Sequence, residues 1–253
     1  MTQAAFVRPV SLEDALRLLG QGSAARVIAG GQSLVPTFRC EGTRPEEVLV
    51  GIDQLSALKG ISSVDQRLTI GAAETHSSIA SSQIVLAEIP ALAHLAKSIG
   101  DAQVRNRGTI GGALVSNFLH TDYAAALFAL DCHIHTTSRV LKPRDFVPQE
   151  EAPVLARDEL IVSVSFEIPN SAVYVRLEHA AGGYAELGVF CTKDRNKAIA
   201  ISLIGAQFEP AQLPPTSSLD LSDAVDTLQR SANLSAYHAA RLRRLLQQAE
   251  EAL

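Results

Sequence analysis

Cysteine is scarce in this chain of 253 residues, and what there is lies in no useful arrangement. Cys40, Cys132 and Cys191 are scattered and form no C-x-x-C pair. They cannot provide the four thiolates that hold an iron–sulfur cluster, so any such cluster belongs to a partner. No apolar run approaches the roughly 20 residues that span a bilayer. A surplus of positive charge is also missing. The 22 Lys and Arg against 27 Asp and Glu leave a net charge of −5, which argues against nucleic acid or an anionic membrane as the main partner. The N-terminus shows no basic segment followed by an apolar core, so no secretory signal is expected and the expected compartment is the cytoplasm. What remains is 47% hydrophobic and 19% charged, the balance of an ordinary globular protein, long enough for a good core and for two small domains.

The apolar pattern divides the chain. Ser11 and Asp14 read as the capped start of a helix over Leu12–Leu19, ended by Gly20. Ala25–Ala29 and Val48–Ile52 read as short strands, and 60–64 with 67–72 read as a hairpin turning at Asp65-Gln66. Thr75 or Ser77 starts a helix over Ile79–Ser82, Pro90 starts another through Ile99, and Tyr123–Leu130 reads as a buried helix. His133–Thr137 and Leu160–Ile168 alternate as strands do, with aperiodic surface loop between them over 139–158. Beyond Pro169 the pattern predicts a three-stranded antiparallel meander (173–177, 185–193, 198–205), a Pro-rich connector over 209–219 and two helices (222–229, 236–253). The predicted boundary lies near 169–172, giving domains 1–169 and 172–253. His133 and His135 could share one face of a strand as metal ligands, but no third ligand is evident, and packed or surface histidines are the plainer reading.

Two glycine-bearing segments carry the chemistry. Ala29-Gly30-Gly31-Gln32-Ser33 and Gly108-Thr109-Ile110-Gly111-Gly112 both strip side chains from the backbone. That lets main-chain N–H groups approach a bulky anion such as a pyrophosphate. Each has a hydroxyl residue alongside, Ser33 and Thr109, and together they predict one extended ligand clasped from two sides. The first segment lacks the G-x-G-x-x-G of a Rossmann site, of which Asp53 after an apolar strand is the only trace. Arg105 and Arg107 flank the second segment, either as salt-bridge partners that hold it or as positive charge near the ligand.

Ala29–Leu34, Ile70-Gly71-Ala72, Thr75-His76, Asp158-Glu159-Leu160-Ile161, 180–190 and above all Gln103-Val104-Arg105-Asn106-Arg107-Gly108-Thr109-Ile110-Gly111-Gly112 resemble the FAD-binding medium subunit of molybdenum hydroxylases, the flavoprotein type of carbon monoxide dehydrogenase and xanthine dehydrogenase. The resemblance implies an α+β fold, a PCMH-type FAD-binding domain of two α+β subdomains followed by the small C-terminal domain. It implies FAD in this chain, the molybdenum cofactor in a large partner subunit and [2Fe-2S] clusters in a small one, arranged as a dimer of heterotrimers. Electrons would pass from the clusters to the flavin and on to NAD, a quinone or another acceptor, the chain not acting on substrate alone. For the site it implies that Ala29, Gly30, Gly31, Gln32 and Ser33 wrap the pyrophosphate, that Thr109, Ile110, Gly111 and Gly112 form the second clasp, and that Ala113 also lies at the cofactor. Ser116 and Asp122 would then reach polar edges of FAD, and Ile161 would cover a ring. The chain departs from the family at Ala113, at Asn117-Phe118-Leu119 and at Glu178-His179-Ala180-Ala181. Each lost flavin hydrogen bond would cost about 1 kcal/mol. These departures leave open a second reading, a flavin-depleted member that serves as a structural scaffold for the same partners.

Overall fold

In the computed structural model the described residues are 5–20, 25–41, 48–117, 121–146, 154–178, 185–205, 208–216 and 220–253. The short apolar runs near the N-terminus build a parallel sheet. Its strands β1 (Phe6–Val7), β2 (Ala25–Ile28) and β3 (Val48–Gly51) stand in the order β1-β3-β2. Helix α1 (Leu12–Gly20) begins where Ser11 Oγ accepts the Asp14 amide at 3.0 Å, and it buries Ala15 and Leu19 against Val50 and Leu58. Helix α2 (Leu34–Glu41) follows β2. The sequence pattern gave no sign of it, because Pro36 reads as a breaker; in the first turn of a helix, however, its missing N–H is not needed.

The second unit is a five-stranded antiparallel sheet. Strands β4 (Ile61–Val64), β5 (Arg67–Gly71), β6 (Cys132–Thr136), β7 (Val140–Leu141) and β8 (Ile161–Glu167) take the order β4-β5-β8-β6-β7. The hairpin turns at Asp65 and Gln66, both in the left-handed region with φ of 50° and 61°. Its inner face presents Leu68, Ile70, Ile134, Val164 and Phe166, all fully buried. Helices α3 (His76–Ser81), α4 (Gln83–Glu88), α5 (Pro90–Ser98), α6 (Ala102–Arg107), α7 (Ile110–Asn117) and α8 (Asp122–Ala129) belong to this unit. The cap of α3 is Thr75, whose Oγ1 accepts the Ser78 amide at 3.1 Å. The segment 139–158 holds β7 and a 3-10 turn at Pro143–Phe146 in place of unbroken loop; residues 147–153 lie outside the described part.

One expectation is corrected here. Residues Ile110–Gly112 do not form a glycine loop: they are the first turn of α7. Glycine is required there for packing, since a Cβ on Gly111 would lie 2.8 Å from the Ala72 carbonyl oxygen.

A second correction concerns the C-terminal sheet. Strands β9 (Ser171–Glu178), β10 (Ala185–Lys193) and β11 (Ile199–Gly205) are joined by β12 (Phe208–Thr216), giving four strands in the order β12-β11-β10-β9. The region expected as a connector pairs because β12 is an edge strand, where Pro210, Pro214 and Pro215, which have no N–H to donate, can interrupt pairing with only one neighbour; the register slips between Ile199 and Ile201 and between Leu203 and Gly205. The chain leaves one sheet at Glu167 and enters the other at Ser171.

This last sheet is covered on both faces. Leu187, Val189, Ile201 and Leu203 pack on Leu228, Leu242 and Leu246 of helices α9 (Leu221–Ser231) and α10 (Ala236–Ala252). Tyr174, Phe190 and Ile204 join the core of the five-stranded unit, with Leu92 of α5 and Ala126 of α8. Side chains of the sheet also hold the end of α8. Thr192 Oγ1 donates to the Ala129 carbonyl at 3.0 Å, and Gln212 Nε2 donates to that of Phe128. Because Phe190 belongs to this shared core, Phe190→Ala is expected to cost about 3–5 kcal/mol and to lower one common transition for both units, read by urea denaturation followed by circular dichroism. Two separate transitions would show that the cores are independent.

Candidate functional site

The first glycine segment bridges β2 and α2, and its backbone is what the site is made from. Gly31 has φ of +72°, in the left-handed region that a side chain disfavours. Gly30 passes directly over the end of α6: a Cβ built on it would sit 1.8 Å from the Arg107 carbonyl oxygen. The two glycine segments therefore meet. Between them opens a cavity of about 770 Å³, within the range of ligand clefts, roughly 300–1,000 Å³.

The two segments differ in which donors they leave available. Among the described residues, no intramolecular acceptor takes the amides of Gly30, Gly31, Gln32, Ser33 or Leu34, at the N-terminus of α2. Successive amides around a left-handed residue at a helix start form an anion-binding concavity. The amides of the second segment are already engaged. Ile110 donates to the Glu74 carbonyl at 3.1 Å, Gly111 to Ala72 at 2.9 Å, Ala113 to Thr109 at 2.9 Å, and Gly112 to Thr109 Oγ1 at 3.1 Å. A clasp made by these four amides is thus corrected to a wall made by their backbone.

Of the residues named from the sequence, Ala29, Gly30, Gly31, Gln32, Ser33, Thr109, Gly111, Gly112, Ala113, Ser116, Asp122 and Ile161 all line this cavity. Ile110 does not: it is fully buried in the core behind the wall. The Gln32 side chain turns back to the Gly30 carbonyl at 3.4 Å, and Ser116 Oγ bonds to the Ala113 carbonyl at 3.4 Å. Asp122 is 8% exposed, with Oδ2 3.1 Å from Arg176 Nη1 on β9. Burial pushes its carboxyl above the usual range, and Arg176 opposes that shift. Phe118, His120 and Tyr184 lie outside the described residues.

Other candidates have structural partners. Arg105 Nη1 donates to the carbonyls of Ile99 and Gly100 at 3.1 and 2.7 Å, closing the turn between α5 and α6. Arg107 lies 3.8 Å from Asp53, which also faces Arg8 at 3.6 Å. His135 Nε2 is 2.8 Å from Ser165 Oγ, and His133 Nδ1 is 3.1 Å from Arg67 Nη1. Among the described residues no group of three metal-ligating side chains assembles.

The sequence reading missed part of the lining. Ile99, Val104, Leu155 and Leu160 add an apolar wall beside Ile161. Leu160 directly precedes a residue already read as a ring cover, so it was within reach; Leu155 lies in an aperiodic stretch and carried no signal. Glu159 also lines the cavity. Its carboxylate accepts from Arg139 Nε at 2.9 Å, Thr136 Oγ1 at 2.6 Å, Ser138 Oγ at 2.8 Å and the Ala156 amide at 3.0 Å. Arg139 and these donors bring its pKa down to about 2. The knot fixes the entry of β8 and so the position of Leu160 and Ile161. His76, 4% exposed, places Nδ1 3.1 Å from the Tyr123 hydroxyl and packs against Gly108. Burial, aided by Arg105, lowers its pKa to about 4, so it is neutral at neutral pH.

With this geometry in view, the family can be read. Residues 2–171 match the model described as the FAD binding domain in molybdopterin dehydrogenase. The chain belongs to this family. It is 32% identical to the glyceraldehyde dehydrogenase medium chain of Sulfolobus acidocaldarius over 214 residues, covering 82% of this chain and 73% of the relative. It is 35% identical to the carbon monoxide dehydrogenase medium chain of Hydrogenophaga pseudoflava, covering 71% of this chain but only 65% of that one. Its fold superposes on a structure of Hydrogenophaga pseudoflava carbon monoxide dehydrogenase lacking the Mo-pyranopterin moiety, with TM-score 0.86 and 26% identity over 99% of this chain and 96% of that chain. A pocket of open amides with an apolar wall fits the dinucleotide that gives the FAD binding domain family its description. Among the described residues no helix is long and apolar enough to cross a membrane.

The buried neutral His76 makes stability depend on pH. Its folded pKa of about 4 lies below the ordinary 6.5, so the unfolded chain binds more protons between those values. Stability is then complete above pH 6.5 and falls as pH drops toward 4, by on the order of 3 kcal/mol. Thermal melts from pH 7.5 to 4 are expected to show this loss, and His76→Gln should flatten the upper part of the slope. Equal slopes in both proteins would contradict the assignment.

Proposed function

We propose that the chain is the FAD-carrying electron-transfer subunit of a molybdenum hydroxylase. In this reading it accepts electrons from iron–sulfur clusters of a small partner subunit and passes them to NAD, a quinone or another acceptor. A large partner holds the molybdenum cofactor, and the complex is a dimer of heterotrimers. Residues 1–169 form the cofactor-binding unit and 172–253 the C-terminal domain. One observation carries the reading: the five amides of Gly30–Leu34, without an intramolecular acceptor among the described residues, line a cavity whose other wall is apolar.

The electron chemistry belongs to the flavin when it is bound. The chain's own part is placement and electrostatics. The open amides with the dipole of α2 hold a diphosphate without a charged side chain. Thr109, Gly111 and Gly112 form a smooth backbone wall that lets a bulky group come close. Ile99, Val104, Leu155, Leu160 and Ile161 suit a planar ring and keep water from it. The scattered cysteines agree with clusters held elsewhere, since Cys132 and Cys191 are buried and Cys40 is alone on the surface.

The absorbance spectrum of the gently purified native protein separates this reading from a flavin-depleted scaffold. Bands of oxidised flavin are expected, and their absence supports the scaffold. The variants Gly30→Ala and Ser33→Trp then test the placement. The first forces the segment away from Arg107, the second fills the space beside the open amides, and each is expected to reduce flavin content at least tenfold, the equivalent of losing about 1.4 kcal/mol of binding. Unchanged flavin content in both would show that the ligand lies elsewhere.

A further inference from the structure

Asp122 stands in the cavity wall, yet its partner comes from outside the cofactor-binding unit. Arg176 lies on β9, two residues before the end of the C-terminal sheet's edge strand. Its Nη1 is 3.1 Å from Asp122 Oδ2 and its Nη2 is 2.9 Å from Glu178 Oε1. The Arg176 side chain is 8% exposed and that of Asp122 is 10% exposed. A pair this buried is held by geometry, because neither charge can turn to water. Tyr174 Oη is also buried beside the Asp122–Arg176 pair. Arg176 thus holds the carboxylate through Oδ2. The carboxylate is clamped from the C-terminal sheet while its residue lines the cavity. The rest of α8 is secured separately, by Thr192 and Gln212 at its far end.

We propose that Arg176 is a positioning residue for the cofactor cavity: from the C-terminal sheet it fixes Asp122 so that the carboxylate accepts a hydroxyl or amide proton of the bound dinucleotide. Cofactor affinity is therefore set in part by a residue outside residues 1–169. The inference rests on the reading of the cavity as a dinucleotide site. Its sign follows from burial. Without Arg176 the carboxylate loses both its orientation and the cation that makes its burial tolerable, and its hydrogen bond to the ligand weakens.

The test titrates FAD into the flavin-stripped full chain, following the quenching of flavin fluorescence, for the native protein and three variants. Arg176→Met is expected to raise Kd by tenfold or more, within the range of energetic coupling between linked sites. Arg176→Lys, which keeps the charge on a single nitrogen without the planar fork, is expected to fall between, at about threefold. Thr192→Val removes a bond to the other end of α8 and is expected to lower Tm while leaving Kd within about twofold, a change of under 0.5 kcal/mol. If Arg176→Met does not fold, the Lys variant decides, and an unchanged Kd there overturns the proposal. A native Kd for Arg176→Met, or equal weakening by Thr192→Val, also overturns it, the latter because general loosening of the helix would then be the cause. Failure of the native chain itself to bind FAD would instead remove the dinucleotide reading beneath it.

Discussion

The site depends on one close approach of two backbones. Gly30 crosses the Arg107 carbonyl with no room for a side-chain atom, and this contact brings the parallel-sheet unit against the α6–α7 corner of the antiparallel unit. Once Gly30 is seated, Gly31 turns through a positive φ and α2 starts. The amides that a helix start and its preceding turn leave open are then aimed at the gap between the units. Ordinary helix physics supplies the donors, and the interlocking of two subdomains gives them a ligand-sized space.

The remaining polar groups keep that space fixed. Glu159 gathers four donor residues at the entry of β8, which holds the apolar wall in place. His76 is kept neutral by burial and ties α3 to Tyr123 on α8. Arg105 and Arg107 close the corner beneath Gly30. Asp122 joins the cavity to the C-terminal sheet, so that sheet is bound to the cofactor unit by a buried charge as well as by the core shared through Phe190. None of these groups needs to take part in electron chemistry; each removes a freedom that would otherwise blur where the cofactor rests.

Much of this was legible in the sequence. The hairpin at Asp65-Gln66, the helix from Pro90 and the strand up to Pro169 followed from local periodicity and turn chemistry. The cavity residues followed from the two glycine segments and the family resemblance they carry. What escaped had a tertiary cause. Gly111 and Gly112 look like an open loop in one dimension, but Thr109 caps them into a helix and Ala72 requires Gly111 to lack a side chain. Pro210, Pro214 and Pro215 look like a connector because nothing local reveals that β12 will be an edge. Arg176 sits amid an alternating strand, and only the packing of α8 shows that its partner is Asp122.

The central claim is that the amides of Gly30–Leu34, and not those of Ile110–Ala113, hold the ligand. Residue-resolved hydrogen exchange of the full chain with and without FAD tests it directly. FAD is expected to slow exchange sharply at residues 30–34 while leaving 110–113, already bonded within the protein, equally protected in both states. Protection gained at 110–113 with none at 30–34 would contradict the account.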